Sequence, residues 1–146
     1  MYDISQVVPH SGKMLLIDKV IDYEDDWLIS QVTIKEDSMF CHNGSVPALV
    51  GIEYMAQSVA AFAGKNDKIN NKEVSIGLLL GTRKYVSSVS EFPVGSILKI
   101  HVQQIYFENL GLGVFKCKIE GKNIFVEANI NVYHPKDLSN LINNNE

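Results

Sequence analysis

The sequence predicts an α+β domain in which one long central helix is wrapped by a curved antiparallel β-sheet. Three observations lead there. The run from Val46 to Gly64 is apolar nearly all round, which suits a buried helix rather than an amphipathic surface one. Segments after it alternate apolar and polar residues, the mark of half-exposed antiparallel strands. The order is two strands, the helix, then four strands. A helix that is apolar on every side needs cover on every side, and a sheet that curls around it supplies that cover.

The elements follow in order. Residues 14–22 and the run from Trp27 to Ile34 read as a hairpin across the acidic turn Glu24, Asp25 and Asp26. A loop from Lys35 to Ser45 leads to the helix. Pro47 suits the helix's first turn, where a missing N–H is no loss, and Gly64 suits the residue just past its end. A polar connection from Lys65 to Glu73 leads out. Strands are expected from Val74 to Val86, Ile97 to Phe107, Val114 to Ile119 and Ile124 to Tyr133. Their turns are expected at 92–95, at Asn109 to Gly113 and at Glu120-Gly121-Lys122. Leu98, Ile100 and Val102 should face one side of their strand, with Lys99, His101 and Gln103 on the solvated other side.

Composition bounds the reading further. The 146 residues show no repeat, linker or composition shift, so residues 1–146 read as a single domain with a polar, Asn-rich tail at 135–146. Net charge is −4, which gives no global basic footprint for nucleic acid. Glu53 interrupts the best apolar run before it reaches the roughly 18 residues of a membrane span. The N-terminus lacks the pattern of a signal peptide, and two cysteines make no disulfide framework; a cytoplasmic protein with reduced thiols is expected. Four His and two Cys show no metal-ligand spacing, so no metal is expected. The glycines around Leu78–Leu80 and Leu112 lack both the pattern and the strand-to-helix setting of a dinucleotide site.

Glu53 is the residue of most interest. A carboxylate in a buried helix must be paired, hydrogen-bonded or protonated. Such a group serves either as a structural clasp to a loop backbone or as a general acid or base. Gln57 lies four residues on, on the same helical face, where it can bond the carboxylate or an acyl chain, or serve structure alone. Tyr54 and Met55 read as packing residues. Cys41 beside His42 reads as incidental, because neighbours on an extended chain point to opposite sides.

Four segments, in order and at similar spacing over nearly the whole chain, resemble the hotdog-fold β-hydroxyacyl-acyl-carrier-protein dehydratases. They are Val8-Pro9-His10 through Met14 to Asp18; Pro47-Ala48 through Glu53 to Ala56-Gln57; the strand Leu79 to Tyr85 with the turn Phe92-Pro93-Val94-Gly95; and Gly121-Lys122 before Val126-Glu127-Ala128. The wording around Glu53 is most similar to a divergent branch associated with aryl-polyene pigment clusters. The resemblance implies a hotdog fold and removal of water from a 3-hydroxyacyl thioester, giving the trans-2-enoyl thioester. It implies that a His and a helix carboxylate share the proton transfers, and it maps the carboxylate to Glu53. It maps the backbone N–H that polarises the thioester carbonyl to Ala48, where the family usually has Gly. It implies no cofactor beyond the phosphopantetheine arm of acyl carrier protein or coenzyme A.

One departure stands out. In the family the catalytic His lies fourteen residues before the helix carboxylate, and that register here holds Met39, which cannot transfer a proton. Either His10 or His42 takes the second role, or neither does. In the last case Glu53 acts alone on water, as in a hotdog thioesterase, or the chain is a non-catalytic acyl-binding partner of a dehydratase. By resemblance, Arg83, Lys84 and Lys13 form a basic rim for an acidic carrier protein. The strand from Leu78 to Val86 would be an exposed edge in a monomer. A homodimer is therefore expected, with a heterodimer with a second dehydratase as the alternative.

Overall fold

The computed structural model describes residues 3–7, 15–71, 78–108 and 110–133. A single-turn helix, α1 (Ile4–Val7), precedes the hairpin β1 (Lys19–Tyr23) and β2 (Trp27–Thr33). Then come the short strand β3 (Ser45–Pro47), a 3-10 turn (Ala48–Val50) and the long helix α2 (Gly51–Ile69). The chain continues with β4 (Leu78–Ser87), β5 (Glu91–Pro93), β6 (Ile97–Phe107), β7 (Leu112–Gly121) and β8 (Ile124–Tyr133). Six strands form one antiparallel sheet in the order β1-β2-β6-β7-β8-β4, and β3 pairs with β5 in a sheet of two. Among the described residues, no helix is long and apolar enough to cross a membrane.

Alternation puts one face of the large sheet against α2. Leu28 and Val32, then Leu98, Ile100 and Val102, then Phe115, Cys117 and Ile119 are buried in turn along β2, β6 and β7. On β8, Val126, Ala128, Ile130 and Val132 complete the floor. The helix lays Tyr54, Met55, Val59, Ala61 and Phe62 on it, with Phe62 meeting Phe115 edge-on at 5.3 Å between centroids. A polar contact between helix and sheet in this layer is closed on itself. Ser58 Oγ donates to Tyr54 O at 2.8 Å, so its lone hydrogen is spent, and Ser30 Oγ must be the donor in the 2.6 Å bond between the two hydroxyls.

The helix boundaries differ from the sequence expectation. Pro47 ends β3 with extended ψ of 139° and caps the 3-10 turn instead of sitting inside the helix. The helix does not stop at Gly64 but runs on to Ile69, and Asn71, at φ 57°, takes the left-handed position after it. Gly64 has another role: a Cβ there would collide with the carbonyl of Val7, so the missing side chain lets α1 press its backbone onto α2. The supposed connector residue Lys65 is helical and only 1% exposed. Its Nζ donates to Glu24 O at 2.7 Å and lies over the rings of Phe62 and Tyr23, which fastens the helix end to the β1–β2 turn.

The strand expectations held for β2, β6, β7 and β8, with turns shifted by a residue or two. Gly121 still pairs with Ile124, leaving Lys122 and Asn123 as the turn, with Asn123 at φ 59°. The turn expected at 92–95 instead begins with β5, and Gly95, at φ 94°, reverses the chain after it.

Two measurements probe the helix seams. Gly64→Ala gains at most about 1 kcal/mol of helix propensity but forces the α1 backbone away, an overpacking cost of about 1–3 kcal/mol. We therefore expect a lower urea midpoint. Burial pushes the Lys65 ammonium below its ordinary 10.5, against the pull of Asp25, Asp26 and Glu24. The unfolded chain thus holds that proton more tightly, so the stability linked to this group is full above pH 10.5 and lost as pH falls through the lowered value. Lys65→Met should remove this slope from alkaline denaturation midpoints.

Candidate active site

The start of α2 is held by its neighbours. Antiparallel pairing of Ser45, Val46 and Pro47 with Pro93, Phe92 and Glu91 fixes the entry strand. The 3-10 turn then delivers Gly51 against Tyr85, where a Cβ would strike the phenol oxygen. Glu53 occupies the first turn of α2 and is half-buried. Its Oε1 accepts from Gln57 Nε2 at 3.2 Å.

Gln57 is fully buried, and its orientation is fixed by the main chain. Its Oε1 accepts from the amides of Leu16 at 2.8 Å and Ile17 at 3.4 Å, so its NH2 must point at Glu53. The amides of Leu16 and Ile17 thus bond a helix side chain instead of a strand, ahead of β1. The adjacent Asp18 is tied to β2 by its own N–H, 2.9 Å from Gln31 O, and by its Oδ2, which accepts from Thr33 N at 2.8 Å.

Ala48 uses both of its main-chain groups internally. Its N–H donates to Ser90 O at 2.9 Å, and its carbonyl accepts from the Tyr85 hydroxyl. The amide that the resemblance assigns to a thioester is thus engaged within the chain in this conformation. Tyr85 reaches the helix through a β-bulge between Arg83 and Val86, with Lys84 left-handed at φ 55°. Burial pushes the Tyr85 hydroxyl up to about 12, so it remains a donor at neutral pH. The same bulge leaves Arg83 and Lys84 exposed; Arg83 pairs with Asn129, in the cross-strand row that also holds Lys116.

Met39 lines a cavity of about 440 Å³ with Leu15, Leu16, Asp18, Val32 and Tyr54. Tyr54, expected to pack, does so against Phe92 at 6.2 Å between centroids, yet its side chain also borders this cavity. Burial first, then the charge of Asp18, pushes its hydroxyl up to about 12. His42 is exposed on a tight turn around Asn43 and Gly44, held by main-chain bonds in both directions with Ser45 (2.8 and 3.3 Å). His10 and Lys13 lie outside the described residues, as do His134 and the tail. Both cysteines described are free: Cys41 is half-buried, and Cys117 is buried, its thiol pushed up by desolvation.

A central helix wrapped by an antiparallel sheet, with a carboxylate in the helix's first turn, is the architecture of the hotdog-fold acyl-thioester proteins. The profile of the ApeP-like family, described as ApeP dehydratase, matches residues 2–143, and the chain belongs to that family. Its fold is similar to the dehydratase heterocomplex ApeI:P from Xenorhabdus doucetiae, with a TM-score of 0.88 and 28% identity over 100% of this chain and 99% of that one. It is 35% identical over 78 residues to the 3-hydroxyacyl-acyl-carrier-protein dehydratase FabZ of Histophilus somni (strain 2336). That match takes in 49% of this chain and 52% of the relative, so the chain spans about half the length of the curated relatives it matches. A hypothetical thioesterase from Streptococcus pneumoniae TIGR4 shares the fold alone, at TM-score 0.59 and 9% identity over 79% of this chain and 83% of that one.

Gln57→Leu tests the clasp. It strands two amides and removes one hydrogen bond from Glu53, and each buried unsatisfied donor costs about 1–3 kcal/mol. We expect a marked fall in thermal midpoint.

Proposed function

We propose that this chain acts in the dehydration of a 3-hydroxyacyl thioester, carried on acyl carrier protein, to the trans-2-enoyl thioester, and that it works in the cytoplasm. The observation that carries this reading is Glu53, held in the first turn of α2 by a glutamine that is itself locked to the backbone of residues 16 and 17. The reaction breaks a Cα–H bond and a Cβ–O bond. A base accepts the Cα proton, the electron pair forms the double bond, and an acid protonates the departing hydroxyl so that it leaves as water. Glu53 takes one of these proton transfers and a histidine the other. Arg83 and Lys84, with Lys13, supply positive charge for the acidic carrier.

A second reading concerns where that histidine resides. Met39 fills the register of the family histidine and lines the cavity beside Tyr54. β4 is an outer strand of the sheet and exposes Leu79, Leu80 and Val86, a surface suited to pairing with another chain. The similarity to a dehydratase heterocomplex supports a second, different dehydratase chain there, in preference to a second copy of this one. In that assembly the partner brings the histidine and this chain brings Glu53; in a homodimer, His10 or His42 must serve.

Mass spectrometry of a short 3-hydroxyacyl carrier protein separates these readings, with wild type, Glu53→Gln, His10→Ala and His42→Ala, each alone and with a second dehydratase chain. Loss of one water, slowed at least about 100-fold by Glu53→Gln, supports dehydration. Insensitivity to both histidine changes, with turnover only in the mixture, assigns the histidine to the partner. Release of the free acid would instead make the chain a thioesterase.

A further inference from the structure

The outer face of the six-stranded sheet, turned away from α2, carries a groove of about 280 Å³ lined by Trp27, Ile29, His101, Gln103, Lys116 and Lys118. Strand register orders these side chains. Trp27 pairs with Gln103 and Gln103 with Lys116; one step along, Ile29 pairs with His101 and His101 with Lys118. The groove therefore has an apolar wall on β2, polar ring and amide groups along β6, and two ammonium groups on β7.

Three features mark it as more than solvated surface. First, the sequence pattern led us to expect a solvated His101, but its Nε2 is buried without a hydrogen-bond partner and stands 3.8 Å from Glu120 Oε2, too far for a hydrogen bond. Buried polar atoms are seldom left so. Second, Lys116 is exposed and faces Gln103 on one side and Asn129 on the other, so no acid stands directly opposite it; Lys118 faces Glu127. Third, the two lysines line the same groove as an indole, so ammonium groups and an aromatic wall face one occupant.

We propose that this groove is a docking site for an acidic helix of a partner protein. Two lysines separated by one residue on a strand face stand roughly 6.6–6.8 Å apart. Glutamates four apart on a helix have Cβ atoms about 5–6 Å apart, so each carboxylate meets one ammonium. An apolar side chain on the same helix face then covers Trp27 and Ile29, the kind of aromatic anchor that dominates interfaces. The sheet lies between this groove and Glu53, so the site holds a partner without feeding substrate to α2.

Trp27 is the only tryptophan in the chain, which makes its emission a direct reporter of occupancy. The probe is a synthetic helical peptide with two glutamates four residues apart and a leucine on the same face, titrated into the intact protein; its glutamine counterpart is the control. We expect a saturable change in emission, weakened by added salt and at least about tenfold weaker in Lys116→Glu/Lys118→Glu or with the glutamine peptide. The milder pair Lys116→Gln/Lys118→Gln guards against misfolding of the charge-reversed protein and should also weaken binding. No emission change, an equal response in the variants, equal binding of the glutamine peptide, or a response only to an oligonucleotide or to the protein's own concentration would each overturn the proposal.

Discussion

The carboxamide of Gln57 joins three parts of the molecule that are far apart in sequence. Its oxygen receives the amides of residues 16 and 17, its nitrogen reaches Glu53, and its stem belongs to the buried face of α2. An amide buried without such partners would be a liability; fully satisfied, it defines one arrangement of helix and incoming chain. Rotation of α2 would break two main-chain bonds, and displacement of residues 16 and 17 would turn the glutamine and carry the Glu53 carboxylate with it. The position of Glu53 thus depends on the core's packing and not on its own rotamer alone.

Around that clasp the helix start is crowded from the other side. Ala48 is bonded at both its amide and its carbonyl, and Tyr85 fills the space that Gly51 leaves open. Tyr54 and Tyr85 both stay protonated at neutral pH, so the surroundings of the helix start are rich in neutral hydroxyl donors. A thioester entering here would have to displace the Ser90 carbonyl from Ala48 or use other donors.

The architecture was legible because its signals are local and periodic. Inward residues on β6, β7 and β8 recur every second position, and the run from Val46 to Gly64 is apolar on nearly every face. Glu53 and Gln57 could be paired by helical spacing alone. The end of α2 was not legible, because Lys65 is polar in sequence while its stem and ammonium lie among Tyr23, Phe62 and a carbonyl contributed from 41 residues away. The engaged amide of Ala48 was hidden because its partner is a backbone oxygen, which no side-chain pattern records. Strands of three residues, as in β3 and β5, are too short to show a period, and the inward turn of Tyr85 follows from a bulge. Solvent-face polarity in β6 concealed the burial of a single nitrogen of His101.

That bulge has a consequence for assembly. A left-handed Lys84 between Arg83 and Val86 shifts the phase of the backbone along the outer strand: donors and acceptors beyond it no longer continue the beat of Gly81 to Arg83, which is itself offset from Leu78 and Leu79 by a second irregularity. A straight strand laid along this margin can keep step between these irregularities, but not across them. The irregularity that aims one tyrosine inward also works as a ruler, cutting the length over which a foreign strand can zip on and narrowing the alignments in which two chains can meet.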